Sequence, residues 1–309
     1  MMRNCVTVLV LGAALATLSL ACGCALRNST FTPPVQSTQN FDAANAASAK
    51  DLYVTDKTAV DVLANGSWKK IGKIAKGTHP WGDWVDKEGN LYVTSVIDSH
   101  VGISEYKPGK TKPTFTYSNG MKAPVSISTD AQSHVYEADY QGFVIEYAQR
   151  QHRVVNKCVL TAGDFVTGVA VNASGAVFVD YTTGLVEGGI VEYPTGLHGC
   201  HQTKLKPKLA YPYGIVVDAQ GNLVVADSEV GKVYIIAPPF DKITKTWGTT
   251  FYEPVHLTID TPNLRAFVTE IGKDVKVVGY PGGKTFETLD SSHGLNTPYG
   301  AVDGANFVP

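Results

Sequence analysis

The sequence is poor in charge, in cysteine and in catalytic signatures, and each shortage removes a class of protein. Only 17% of its 309 residues are Asp, Glu, Lys or Arg, and the 26 basic side chains fall short of the 28 acidic ones. A formal charge of −2 provides no cationic surface to neutralise a phosphate backbone, which argues against nucleic acid as a partner. No stretch repeats its apolar residues at helical spacing, so no amphipathic helix is predicted. GxSxG, HExxH, GxxxxGK[ST] and GxGxxG are all missing. "SWKK" at 67–70 matches SxxK by chance, on an outer strand and without its partner motifs. The 15 Tyr, 11 Phe and 30 Gly suit strands and tight turns. The length allows one large all-β domain or two ordinary ones.

The N-terminus is different in kind. Arg3 precedes an apolar and small-residue run from Val6 to Leu20, the length of a signal-peptide core and short for a membrane span. It ends in "LSLACGCAL", which resembles the lipobox at which bacterial lipoproteins are cleaved and acylated, with Cys22 or Cys24 as the lipid-bearing residue. Residues 1–24 are therefore expected to be a signal peptide and 25–50 a polar tether leading to the folded region 51–309. The expected location is periplasmic, lipid-anchored at the cell surface, or secreted, with membrane contact only through that lipid. Of five cysteines, Cys158 and Cys200 alone lie beyond Cys24. In an oxidising compartment they either pair or remain separately buried thiols.

"YPYGIVVDAQGNLVVADSEVGKVYII" at 211–236 recurs in weaker form as "WVDKEGNLYVTS", "ISTDAQSHVYEAD", "VAVNASGAVFVDY", "TIDTPNLRAFVTE" and a shortened "AVDGANFVP". Its turn-opening residues Asp86, Asp130, Asn172, Asp218, Asp260 and Asp303 recur every 42 to 46 residues, the period of a four-stranded propeller blade. Their side chains can accept the N–H groups of the turn, a structural role. Three strands at 52–74 lack a first strand, and GAVD at 300–303 is a first strand without followers. One completes the other, so an all-β, six-bladed propeller closed by pairing of both termini is predicted.

The phrase "YGIVVDAQGNLVVAD" resembles the NHL-type repeat, and the folded region is similar to the six-bladed propellers of the NHL, gluconolactonase and streptogramin-lyase superfamily. The resemblance implies the fold. It specifies little of the function, because the motif is a blade motif.

In such a blade the first strand lines the channel, and the loops entering it share a face with the turns leaving the second strand. Five of the six entering loops carry Pro just before the strand. The residues that follow include Trp81, Tyr213 and Tyr299, which either form a stacking platform for a ligand or plug the hub. His79 stands beside Trp81. Second strands end in Asp56, Ser95, Asp139, Tyr181, Asp227 and Glu270, with Asp180 one place early. These carboxylates either converge on Ca²⁺ or another divalent cation, or cap the turns that follow them. Where four units have Gly and one has Ser, the fifth full blade has His256. Regular hairpin pairing places His256 opposite Glu270, a pair suited to acid–base work. "HGCH" at 198–201 is too short and isolated for a metal site.

Two functional readings follow. The favoured one is a non-catalytic, exported module that binds a protein, glycan or small ligand through Trp81, Tyr213, Tyr299, His79, Asp139 and Asp227, with no cofactor. The other, implied by the resemblance, is a metal-dependent lactonase or streptogramin-lyase-like enzyme using His256 and Glu270. The full acidic and Asn metal-ligand set of that family is not placed on this sequence.

Overall fold

A computed structural model of the chain describes residues 51–96, 101–160, 164–184 and 187–304. The signal and tether segments, with Cys22 and Cys24, lie outside the described residues. Each apolar run bounded by turn residues forms one strand, and the described strands make six four-stranded antiparallel sheets. The chain opens with β1 (Leu52–Asp56), β2 (Ala59–Leu63) and β3 (Lys70–Ile74). Blade 1 is β4 (Pro80–Val85), β5 (Leu91–Ser95), β6 (Gly102–Tyr106) and β7 (Phe115–Tyr117). Blade 2 is β8 (Pro124–Thr129), β9 (Val135–Asp139), β10 (Phe143–Tyr147) and β11 (Val154–Val159). Blade 3 is β12 (Phe165–Val171), β13 (Val177–Thr182), β14 (Gly188–Tyr193) and β15 (Thr203–Lys204). Blade 4 is β16 (Pro212–Val217), β17 (Leu223–Asp227), β18 (Lys232–Ile236) and β19 (Lys245–Thr246). Blade 5 is β20 (Pro254–Ile259), β21 (Arg265–Glu270), β22 (Asp274–Gly279) and β23 (Lys284–Leu289). Finally β24 (Pro298–Asp303) pairs antiparallel with β1, Leu52 opposite Asp303 and Val54 opposite Ala301, and completes blade 6. β1 therefore begins, and β24 ends, on the face opposite the entering loops.

The turn residues act locally. Asp86 Oδ1 accepts the N–H groups of Glu88 and Asn90, and its other oxygen accepts from the Asn90 amide and the Tyr92 hydroxyl. Asp130, Asn172, Asp218 and Asp260 take backbone N–H groups of their own turns in the same way. Six apolar clusters fill the six interfaces between neighbouring blades. The alternation of each strand sends successive side chains to opposite neighbours, which is why strands buried on both faces read as unbroken apolar runs. A disulfide joins Cys158 on β11 to Cys200 in the turn after β14, linking blades 2 and 3.

One core position breaks the repeat. Two residues before the aligned positions Asp56, Ser95, Tyr181, Asp227 and Glu270 of the second strands the blades carry Val54, Val93, Val179, Val225 and Val268, but two before Asp139 blade 2 carries Glu137. Glu137 is completely buried and neither of its carboxyl oxygens has a hydrogen-bond partner. Burial, and secondarily Asp139, push its pKa well above the usual carboxylate range, with Lys157 opposing. A buried polar group without a partner costs about 1–3 kcal/mol. Glu137→Val, which restores the residue of the other blades, is expected to stabilise the protein by roughly that amount, less the cavity left by the shorter side chain. Urea denaturation at pH 7.5 checks this, and a lower midpoint in the variant contradicts it.

Candidate functional site

The site is built on a distortion shared by all six first strands. In each, the pairing with its neighbour slips near the leading Pro or, in blade 3, near Val166 in its place: between Pro80 and Asp83, Pro124 and Ser126, Val166 and Gly168, Pro212 and Ile215, and Pro254 and His256, with a matching slip at Pro298. These β-bulges turn the start of each strand toward the axis. They also let neighbouring first strands approach closely. At Gly82 a side chain's first carbon would lie 2.3 Å from the Val125 carbonyl oxygen, so only glycine fits.

The bulge corrects the pairing expected for the histidine. Pro254, not His256, stands opposite Glu270, and His256 faces Thr269. In blade 4 the same slip leaves Pro212 opposite Asp227. Glu270 turns to the rim, where it accepts the Tyr252 N–H and meets Lys273 at 3.0 Å and Lys276 at 3.8 Å. His256 instead enters the hub. Its Nδ1 accepts the Ala301 N–H at 3.3 Å, which leaves the ring proton on Nε2, 3.4 Å from Asp83 Oδ1. Both nitrogens are thus engaged, and no lone pair is free to act as a base. Burial lowers the His256 pKa to about 4, so the ring is neutral at pH 7.

The strand-end acids anchor the entering loops of their own blades. Asp139 accepts from the N–H groups of Lys122 and Ala123 and from Gln141 in the turn after it. Asp227 takes those of Ala210 and Tyr211, and Asp56 those of Asn296, Thr297 and Lys57. Their lone pairs are directed at the backbone, and among the described residues no three His, Cys, Asp or Glu side chains are grouped to hold a metal ion. Asp180 accepts from the Gly214 N–H at 3.0 Å and the Thr167 hydroxyl at 3.1 Å across the interface of blades 3 and 4.

Above the hub these anchored loops gather aromatic rings. Trp81 of blade 1 stacks on Tyr299 of blade 6, with centroids 4.5 Å apart and planes within 16°. Tyr213 and Tyr211 of blade 4 stack at 5.9 Å, and Tyr140 of blade 2 stacks on Phe165 of blade 3 at 4.8 Å. The Tyr140 and Tyr211 hydroxyls are 3.4 Å apart. Tyr213 is buried, and burial, with the Tyr211 and Tyr140 phenols, pushes its pKa up against a hydrogen bond from Trp81. It therefore fills the hub mouth, whereas Trp81, Tyr299, Tyr211 and Tyr140 are half-buried and Phe165 is exposed. Tyr252 of blade 5, 55% exposed with the Lys273 ammonium over its ring, completes the circuit. His79 is exposed beside this surface in a left-handed backbone conformation.

Tyr140, Phe165, Tyr211 and Tyr252 escaped the sequence reading because none of them occupies the position after the leading Pro. Their placement in entering loops and second-strand turns was the available signal. At the other end of the channel Trp84 donates its indole N–H to Thr129 and packs against the cores of blades 1 and 2 and of blades 4 and 5. It crosses the axis beside a 280 Å³ cavity lined also by Val85 and Val171.

No family model matches the chain, and no curated protein matches it. Solved structures do. A chain of a nidogen/laminin complex is 14% identical with a TM-score of 0.68, over 84% of this chain and 100% of that one. A protein of unknown function from Bacteroides caccae is 13% identical with a TM-score of 0.62, over 82% and 98%. At this identity the likeness shows the fold alone.

Burial raises the Asp180 pKa to about 7, against the opposing hydrogen bonds from Gly214 and Thr167. A carboxylate whose folded pKa exceeds its unfolded value, about 4, stabilises the fold fully below pH 4 and loses that contribution as pH rises through 7. Asp180→Asn is expected to flatten the fall in unfolding free energy between pH 5 and 8, whatever its effect on absolute stability. Denaturant titrations at each pH unit measure this; an unchanged slope contradicts it.

Proposed function

We propose that the protein is an exported, non-catalytic binding module that takes a protein partner on its aromatic face. The observation that carries this reading is the assembly of half-exposed aromatic rings from all six blades around one channel mouth. Tyr and Trp supply large, rigid contact area with a polar edge, the composition of binding hot spots. The mutual stacking of the rings favours a protein over a glycan. A sugar packs on a free aromatic face, and six of these rings each have one face covered by another. That a chain of similar fold occurs in a complex of nidogen and laminin is consistent with the same use of a propeller.

Export is supported by the run from Val6 to Leu20 and by the Cys158–Cys200 disulfide, which persists only where thiols are oxidised. A lipid on Cys22 or Cys24 would hold the module to a membrane. The repeat phrase supports kinship with NHL-type propellers. The enzyme reading has less behind it, since His256 and Glu270 do not meet.

Cross-linking of the protein in extracts of its own cell envelope, followed by mass spectrometry, identifies the partner. Affinity is then measured by calorimetry. Truncating a hot-spot aromatic costs about 2 kcal/mol or more, so Tyr211→Ala and Trp81→Ala are each expected to weaken binding by roughly 30-fold or more. Phe286→Ala, on the outer strand β23, serves as the control and should bind normally. Equal affinity for all three variants contradicts the reading.

A further inference from the structure

The aromatic stack rests on a buried acid that has no packing reason to be there. At the position of Asp83 the other blades carry Ile127, Val169, Ile215, Leu257 and Ala301. Asp83 is completely buried, and neither carboxyl oxygen reaches hydrogen-bond geometry with any group. It follows Trp81 by two residues on β4, while Ala301 follows Tyr299 by two residues on β24. His256 spans these two strands, with Nδ1 on the Ala301 N–H and Nε2 toward Asp83. The Trp81 carbonyl is held from β1 by the Thr55 hydroxyl at 2.6 Å. Gly300 lies between, and a side chain there would collide with Thr55 Oγ1 at 2.8 Å and crowd Asp83 Oδ1 at 3.1 Å.

We infer that Asp83 and His256 form a proton-dependent brace that sets the Trp81–Tyr299 stack, and with it the shape of the binding face, according to pH. The inference rests on the reading of that face as the ligand-binding surface. His256 is a positioning residue in it, not a catalytic one.

Asp83 faces His256 from β20, Thr55 from β1, the Gly300 backbone from β24 and Val93 from β5. His256 in turn meets the Gly214 backbone of β16, Thr269 of β21 and Ala301 of β24. The other ionisable groups nearby are Asp180, which binds Gly214, and Asp56 and the Tyr213 and Tyr299 phenols at the mouth. Burial holds Asp83 well above the usual carboxylate range, only partly offset by the backbone N–H groups of Thr55 and Asp83 itself, while His256 stays neutral above about 4. Of the pair, the group that gains charge as pH rises above the acid range is therefore Asp83. Once ionised it must gather donors, and those within reach, His256 Nε2–H and the Thr55 N–H, lie directly under the stack. Drawing Asp83 toward them moves β4 two residues from Trp81.

The test needs no ligand. Tryptophan emission, its quenching by acrylamide and near-UV circular dichroism are followed from pH 5 to 9 in the folded protein. A single titration is expected, with at least a twofold change in quenching, and it should vanish in Trp81→Phe. Asp83→Asn should keep the low-pH signal throughout, and Asp180→Asn should titrate as the parent does. If Asp83→Asn fails to fold, Asp83→Leu, which restores the aliphatic residue of the other blades, replaces it with the same expectation. A flat response in the parent protein overturns the brace, as does titration surviving loss of Asp83 or disappearing with Asp180. Because partner binding at one fixed pH is scored separately through Tyr211→Ala, a flat response would leave the binding reading standing.

Discussion

The pairing of β24 with β1 is the contact on which the rest of the ring depends. Each blade buries both of its faces against neighbours, so an open ring would expose two apolar sheet faces and several unpaired strand edges at once. Closing it with strands from opposite ends of the chain ties the first described residues to the last. The loop-closure cost of joining ends some 250 residues apart grows only logarithmically with length, and the apolar cluster between blades 5 and 6 opposes it. Hub geometry follows from closure. Six bulged first strands crowd one axis, and glycines at Gly82 and Gly300 permit the approach.

Much of this was legible in the sequence because it is periodic. The turn acids, the four-strand unit, the closing strand and the aromatic residues after the leading Pro all repeat at blade spacing, so a local physical reading at one copy transfers to the others. The register of the first hairpins was not legible. A bulge leaves no mark in composition, and counting outward from the turn at Asp260 gives His256 opposite Glu270 when the extra residue near Pro254 shifts the pair. The same holds for contacts across the axis. The approach of His256 to Asp83 joins blades 5 and 1, and no periodicity within a blade foretells which side chains meet over a third blade. Asp83 and Glu137 were nonetheless visible as exceptions to the repeat, an acid standing where the aligned copies are aliphatic.

Those exceptions share a physical character. Asp83, Glu137 and Asp180 are carboxyl groups withdrawn from water; Asp180 accepts hydrogen bonds from Gly214 and Thr167, whereas the oxygens of Asp83 and Glu137 have no hydrogen-bond partner. Their stabilities all move in one direction with pH, since each binds its proton more tightly in the folded state. The turn acids Asp86, Asp130 and Asp218 differ, being surrounded by backbone N–H donors that satisfy a charge. One side-chain type thus serves as a turn former at the hairpins and as a titrating group in the hub, and the difference lies in the donors supplied.

The direction of β1 has a practical consequence. Leu52 and Asp303 stand together on the face carrying Trp84, a full strand length from Trp81 and Tyr299. A bead, a surface or a second protein joined directly beside Leu52 or Asp303 would leave the aromatic bowl pointing outward. The described propeller thus has a face for attachment and an opposite face for contact.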